Sequence, residues 1–175
     1  MKANGSLSIK STTLPLDNIR AYSYETLFVV LAVSLPAICH LLGAPVRYIL
    51  PMHWTVILAG LVYGWRGGAI SGFLSPVVSF LITGMPVPLT LFPMTLELFT
   101  YGSLTGLLKE KLKLNSFVSI ALALIVGRII FIISFALFNQ GINIQGYIMT
   151  SMLPGLIIGV IQIASIPFLA KFWTK

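Results

Sequence analysis

The chain has 175 residues, 57% of them hydrophobic and 9% charged, with a mean hydropathy of +0.99 and a net charge of +7. That composition lies outside the range of soluble domains and makes lipid the solvent for most of the chain. Cys39 is the only cysteine, which excludes an internal disulfide and any cysteine-cluster metal or iron–sulfur site.

Residues 1–22 are polar and rich in Ser and Thr, with Pro15 and no apolar run before Tyr24. They read as a cytoplasmic tail and not as a cleaved signal sequence. The remainder, 23–175, reads as one transmembrane domain. A spanning helix needs ~20 mostly apolar residues, and six stretches approach this: 25–43, 53–65, 67–84, 89–108, 115–138 and 148–170. The second is short and runs almost directly into the third. The expected fold is an all-α membrane protein, a bundle of six transmembrane helices.

Six crossings place both termini on one side, so the basic residues can be sorted by loop. Lys2, Lys10, Arg20, Arg66, Lys109, Lys111, Lys113, Lys171 and Lys175 fall on the side of the termini, and Arg47 alone on the other. The positive-inside rule makes the termini and the 109–113 turn cytoplasmic. The charge therefore reads as topology and not as a nucleic-acid footprint, because it is spread over four segments and not gathered on one aromatic-rich face.

The segment 43–52, between the first and second spans, carries two prolines and Arg47 and has the character of an outer lid. His53 opens the second span. A lone His there is more often a cap or an anchor at the interface than a ligand-contacting group, and with His40 it makes a poor metal site, having no carboxylate nearby. No metal or cofactor is expected. Gly60 and Gly64, Gly68 and Gly72, Gly102 and Gly106, and Gly155 and Gly159 stand four apart, the spacing that lets helices pack backbone to backbone in lipid.

Within the spans the sequence shows two full charges, Glu97 and Arg128. At 1.5 Å per residue Glu97 lies roughly 12 Å and Arg128 roughly 15 Å below the outer surface, on consecutive helices. Charges at that depth cost at least a few kcal/mol and must face the interior, paired or hydrated. They form either a structural ion pair or the polar part of a ligand pocket, and a pair satisfied without ligand can reopen to bind one. Tyr101 falls one turn from Glu97 on the same face. Asn139, Gln140, Asn143 and Gln145 form either a solvated turn or an amide set facing a polar ligand, and Gln162 lies deep in the last span.

No P-loop, HExxH, Gly-x-Ser-x-Gly or carboxylate dyad occurs, so no enzymatic activity is expected. Nor do the two halves show the paired broken helices of many secondary transporters. Together these point to a small membrane binding subunit that draws energy from another protein.

LPMHWTVILAGLVYGWRGGAISGFLSPVVSFLITGMP at 50–86, PMTLELFTYGSLTGLL at 93–108 and GRIIF at 127–131 resemble the substrate-binding S components of energy-coupling factor (ECF) vitamin transporters, over about residues 25–170. The resemblance implies a multi-pass protein of a prokaryotic plasma membrane that binds a water-soluble vitamin or related micronutrient from outside. It implies association with a transmembrane coupling protein and two cytoplasmic ATPases. It makes Glu97, Tyr101, Arg128, Asn139 and Gln162 candidate substrate-binding residues, joined by His53 and by Arg47 on the lid. Many members carry Ala-x-x-x-Ala on the first helix as a docking surface; Ala32, Pro36 and Ala37 stand here instead. Two other readings stay open: a scaffold without ligand, with a sealed interior, and a small proton-coupled carrier titrating at Glu97. The residues leave the substrate open among carboxylated, zwitterionic and neutral heteroaromatic compounds.

Overall fold

A computed structural model describes residues 19–43, 46–139, 144–147, 149 and 153–173. Among these the secondary structure is helical, without strands: α1 (Ile19–Leu41), α2 (Val46–Ile49), α3 (Pro51–Thr83), α4 (Pro88–Glu110), α5 (Ser116–Phe138), α6 (Ile144–Tyr147) and α7 (Leu153–Trp173). α1 thus begins inside the stretch read from sequence as a tail.

The 33 residues of α3 would reach ~50 Å if straight, well beyond the ~30 Å of a bilayer core. They do not run straight. Gly64 has φ 75° and ψ −167°, a conformation that L side chains rarely adopt, and it divides α3 into two limbs near the expected 65–67 boundary. With that break the long helices number six. The first limb is buried on nearly every side, from Met52 and His53 through Val62 and Tyr63, as a helix apolar all round must be. The break also frees the backbone N–H of Trp65, which donates to Glu110 Oε2 at 3.3 Å. A carboxylate at the start of the second limb favours its helix dipole.

α4 packs into the angle between the limbs. A Cβ at Gly60 or Gly68 would fall on the carbonyl of Gly102, one at Gly72 on that of Leu98, and one at Gly106 on the backbone of Gly64 and Trp65. The three Gly pairs at 60–72 and 102–106 are therefore internal, the close helix approach that small residues allow. The core joins Ala32 of α1, Val56, Ile57 and Leu61 of α3, Leu98 and Tyr101 of α4, Ile120 of α5 and Ile166 of α7.

Two ends are defined by contacts. At one, Phe28 meets Tyr63 and Trp173 at ring-centroid distances of 5.9 and 5.1 Å, and Phe117 meets Phe168 at 6.1 Å. Arg66, Lys109, Lys111, Lys113 and Lys171 fall at this end, beside the Trp65–Glu110 contact. At the other, Asn139 Nδ2 donates to Leu89 O at 3.3 Å, Phe92 meets Phe138 at 4.6 Å, and Tyr147 of α6 stacks on Phe135 at 4.3 Å. α2 lies there too, held to the start of α3 by Trp54 Nε1 donating to Ile49 O at 3.0 Å.

By length and composition three helical segments are able to cross a membrane: Pro51–Thr83, Ser116–Phe138 and Gly155–Trp173. α4 is not among them, since its composition is less apolar. Its inner face carries Thr95, Glu97, Tyr101 and Thr105, so less of it needs to match lipid.

Ala32, expected on a docking surface, is fully buried in the core, and Pro36 is half-buried. Ala37 is half-buried, and the exposed face of α1 is formed by Leu27, Val30, Ile38 and Leu41. A further carboxyl group is also buried within the helices. Glu25, at the edge of the first expected span, is buried, and its Oε1 accepts a hydrogen bond from the Ser71 hydroxyl of α3.

Candidate functional site

Glu97 and Tyr101 lie one turn apart on α4, and the Tyr101 hydroxyl donates to Glu97 Oε1 at 2.6 Å. Gly127 of α5 makes room for the Tyr101 ring, which would otherwise meet a Cβ there. That close approach brings the next residue of α5 onto the same group, with Arg128 Nη1 at 3.1 Å from Glu97 Oε1. From the first limb of α3, His53 Nε2 stands 3.9 Å from Glu97 Oε2, beyond hydrogen-bond reach. Its ring packs on Tyr101 with centroids 5.4 Å apart. Neither His53 nitrogen has a hydrogen-bond partner among the described residues.

This cluster separates two cavities. The larger, about 400 Å³, runs between α5 and α7 and is lined by Arg128, Gln162, Tyr101, Leu50 and a set of aliphatic side chains with Gly155 and Gly159. The smaller, about 270 Å³, lies at the α2 end among His40, His53, Met52, Met85, Met94 and Pro36. Leu50, between α2 and α3, lines both. It is a non-glycine residue in the left-handed region, with φ 48°, a conformation that costs roughly 1–2 kcal/mol.

Of the residues expected at a site, Glu97, Tyr101, Arg128 and His53 come together, and Gln162 faces the larger cavity with Tyr101 and Arg128. Asn139 does not join them. Its side chain donates to Phe135 O at 3.0 Å and to Leu89 O, closing the end of α5 and tying it to α4. Arg47 lies on α2, but its side chain is outside the described residues, as are Gln140 and Asn143. Gln145 is exposed. Sequence reasoning missed Leu50, which only its backbone conformation marks. It also read Gly155 and Gly159 as packing residues, whereas both line the larger cavity.

The model of the ECF transporter substrate-specific component family matches residues 26–171. The chain is a member of that family. Members of this S-component family work with a transmembrane coupling protein and ATPases in the membrane, and this S component is membrane-embedded. No curated protein and no solved structure matches the chain.

Proposed function

We propose that this S component binds a water-soluble vitamin or related micronutrient in the 400 Å³ cavity and delivers it through an ATP-driven complex with two ATPase subunits. The observation that carries this reading is the placement of Arg128 and Gln162, two polar side chains on different helices, on one otherwise largely aliphatic cavity in a member of this family. A few convergent polar groups on an apolar wall, in a volume of several hundred Å³, is the common form of a small-molecule site.

In this reading the protein crosses a prokaryotic plasma membrane several times, with the basic end and both termini cytoplasmic. The cavity then lies toward the outer side, beneath the lid formed by 43–52. The chain performs no catalysis. Glu97, Tyr101 and His53 support Arg128 from behind, and α2 gates the site through Leu50. The exposed face of α1 contacts the coupling protein.

The test is a thermal-shift screen of the purified protein against vitamins and their precursors, since a ligand that binds only the folded state raises its melting temperature. A hit should be taken up by vesicles only when the coupling module and ATP are present. Uptake by the purified chain alone would favour the proton-coupled carrier, and a folded protein that no compound shifts would favour the scaffold.

A further inference from the structure

The Glu97–Arg128 pair is asymmetric toward the larger cavity. The Glu97 side chain is 2% exposed and the Arg128 side chain 21%. Arg128 lines the cavity and is the only charged residue among the described residues that do; Glu97 does not line it. The carboxylate sits behind, with Oε1 taken by Tyr101 and by Arg128 Nη1 and Oε2 turned toward His53. A guanidinium has five N–H donors in a planar fork, more than its contacts with Glu97 and Tyr101 use. Nη2 lies on the α7 side, 3.3 Å from where a Cβ on Gly155 would stand.

A second polar side chain borders the same space. Gln162 is 1% exposed, lines the cavity, and its Nε2 has no hydrogen-bond partner among the described residues. Such a buried amide is costly until it meets an acceptor. The rest of the lining is aliphatic and the space is half-open: Ile125, Ile129, Leu156 and Val160 are at least half exposed, Leu124 and Ile163 are partly buried, and Tyr101 is the one aromatic residue among those described.

We propose that the ligand is a small amphipathic monoanion, a carboxylate that engages the free edge of Arg128 and the amide of Gln162, carried on an apolar body that lies against the aliphatic walls of α5 and α7. This rests on the S-component reading and narrows it. An ammonium group in this cavity would face a guanidinium or hydrocarbon, with the only nearby carboxylate sealed away, and would be desolvated without compensation. A neutral carbonyl would accept from Arg128 as well, but through the weaker bonds of an uncharged acceptor. A carboxylate satisfies both donors at once, and charge-assisted bonds to a guanidinium fork are the strong kind.

The test uses matched compounds on one scaffold, 4-phenylbutyrate, 4-phenylbutyramide and 4-phenylbutylamine, with the corresponding cyclohexyl set, run beside the vitamin panel. Expected are melting-temperature shifts from the acids and none from the amides or amines. Arg128→Gln should weaken acid binding at least about tenfold, the loss of one charge-assisted hydrogen bond. Because Arg128→Gln strands Glu97, Gln162→Leu and the double variant Glu97→Gln with Arg128→Gln are measured as well; the double variant should lose the preference for acids and Gln162→Leu should weaken acid binding, both while still unfolding cooperatively. Equal shifts from an amide or amine, an acid shift unchanged in all three variants, or silence from every acid overturns the proposal. A neutral or cationic vitamin that binds and is transported sinks this inference alone. The S-component reading itself fails only where no compound of any charge binds and no uptake occurs with the coupling module.

Discussion

Arg128 Nη1 and Glu97 Oε1 stand 3.1 Å apart, yet only Arg128 faces the cavity. The pair is thus both a structural joint between α4 and α5 and a presented cation. Removing one partner of a buried pair is expensive because the other is left uncompensated, whereas removing both is milder. Arg128→Ala strands a fully buried carboxylate and should cost about 3–5 kcal/mol. Glu97→Ala should cost less, since the orphaned guanidinium already reaches the cavity. A double-mutant cycle on thermal unfolding in detergent checks this; equal single costs that simply add would refute the asymmetry.

Gly102 tests the α3–α4 contact. Its Cβ would fall on the Gly68 carbonyl, a rigid group that cannot give way, while a Cβ at Gly159 meets only Leu124 Cδ1 at 3.7 Å. Gly102→Ala should therefore destabilise by at least about 2 kcal/mol. Gly159→Ala should stay within about 1 kcal/mol of the parent. Comparable melting temperatures for the two variants would show that the helices do not approach as closely as the glycine contacts require.

Filling the larger cavity separates binding from folding. A longer side chain at Gly159 projects into the space between α5 and α7, so Gly159→Leu should abolish ligand-induced stabilisation while the ligand-free melting temperature moves by only a few degrees. Retention of full ligand affinity in this variant would place the ligand elsewhere.

Trp54 holds α2 through its bond to Ile49 O. Trp54→Phe keeps the ring and loses the donor, at a cost of about 1 kcal/mol. Hydrogen exchange at residues 46–49 should speed up without a matching change in α4 or α5. A uniform increase over all helices would show that Trp54 supports the whole bundle and not the α2 segment.

Much of this was legible along the chain because membrane solvation acts locally. Every span must be apolar enough for lipid, so hydropathy exposed the six helices and the charge sorting exposed two ends of the bundle. The rarity of charge in such a setting singled out Glu97 and Arg128, and the period of the helix placed Tyr101 beside Glu97. The same reasoning did not show that Ala32 is fully buried and Pro36 half-buried. With lipid outside and protein inside both apolar, a helix with little polar contrast between its faces does not announce which one is buried.

The sequence by itself therefore determined the all-helical membrane class, the approximate helices, the family and the two charges that had to find partners, because each follows from composition, local period or quoted motif. Only the tertiary structure decided which groups meet across helices. The Gly127 gap seats Tyr101 against α5, the Gly64 break brings both limbs of α3 onto Gly102, and the left-handed Leu50 places one side chain between two cavities. It also decided that Glu97 is sealed and Arg128 presented, since exposure of one partner of an ion pair depends on where three other helices leave space, and no local pattern encodes that.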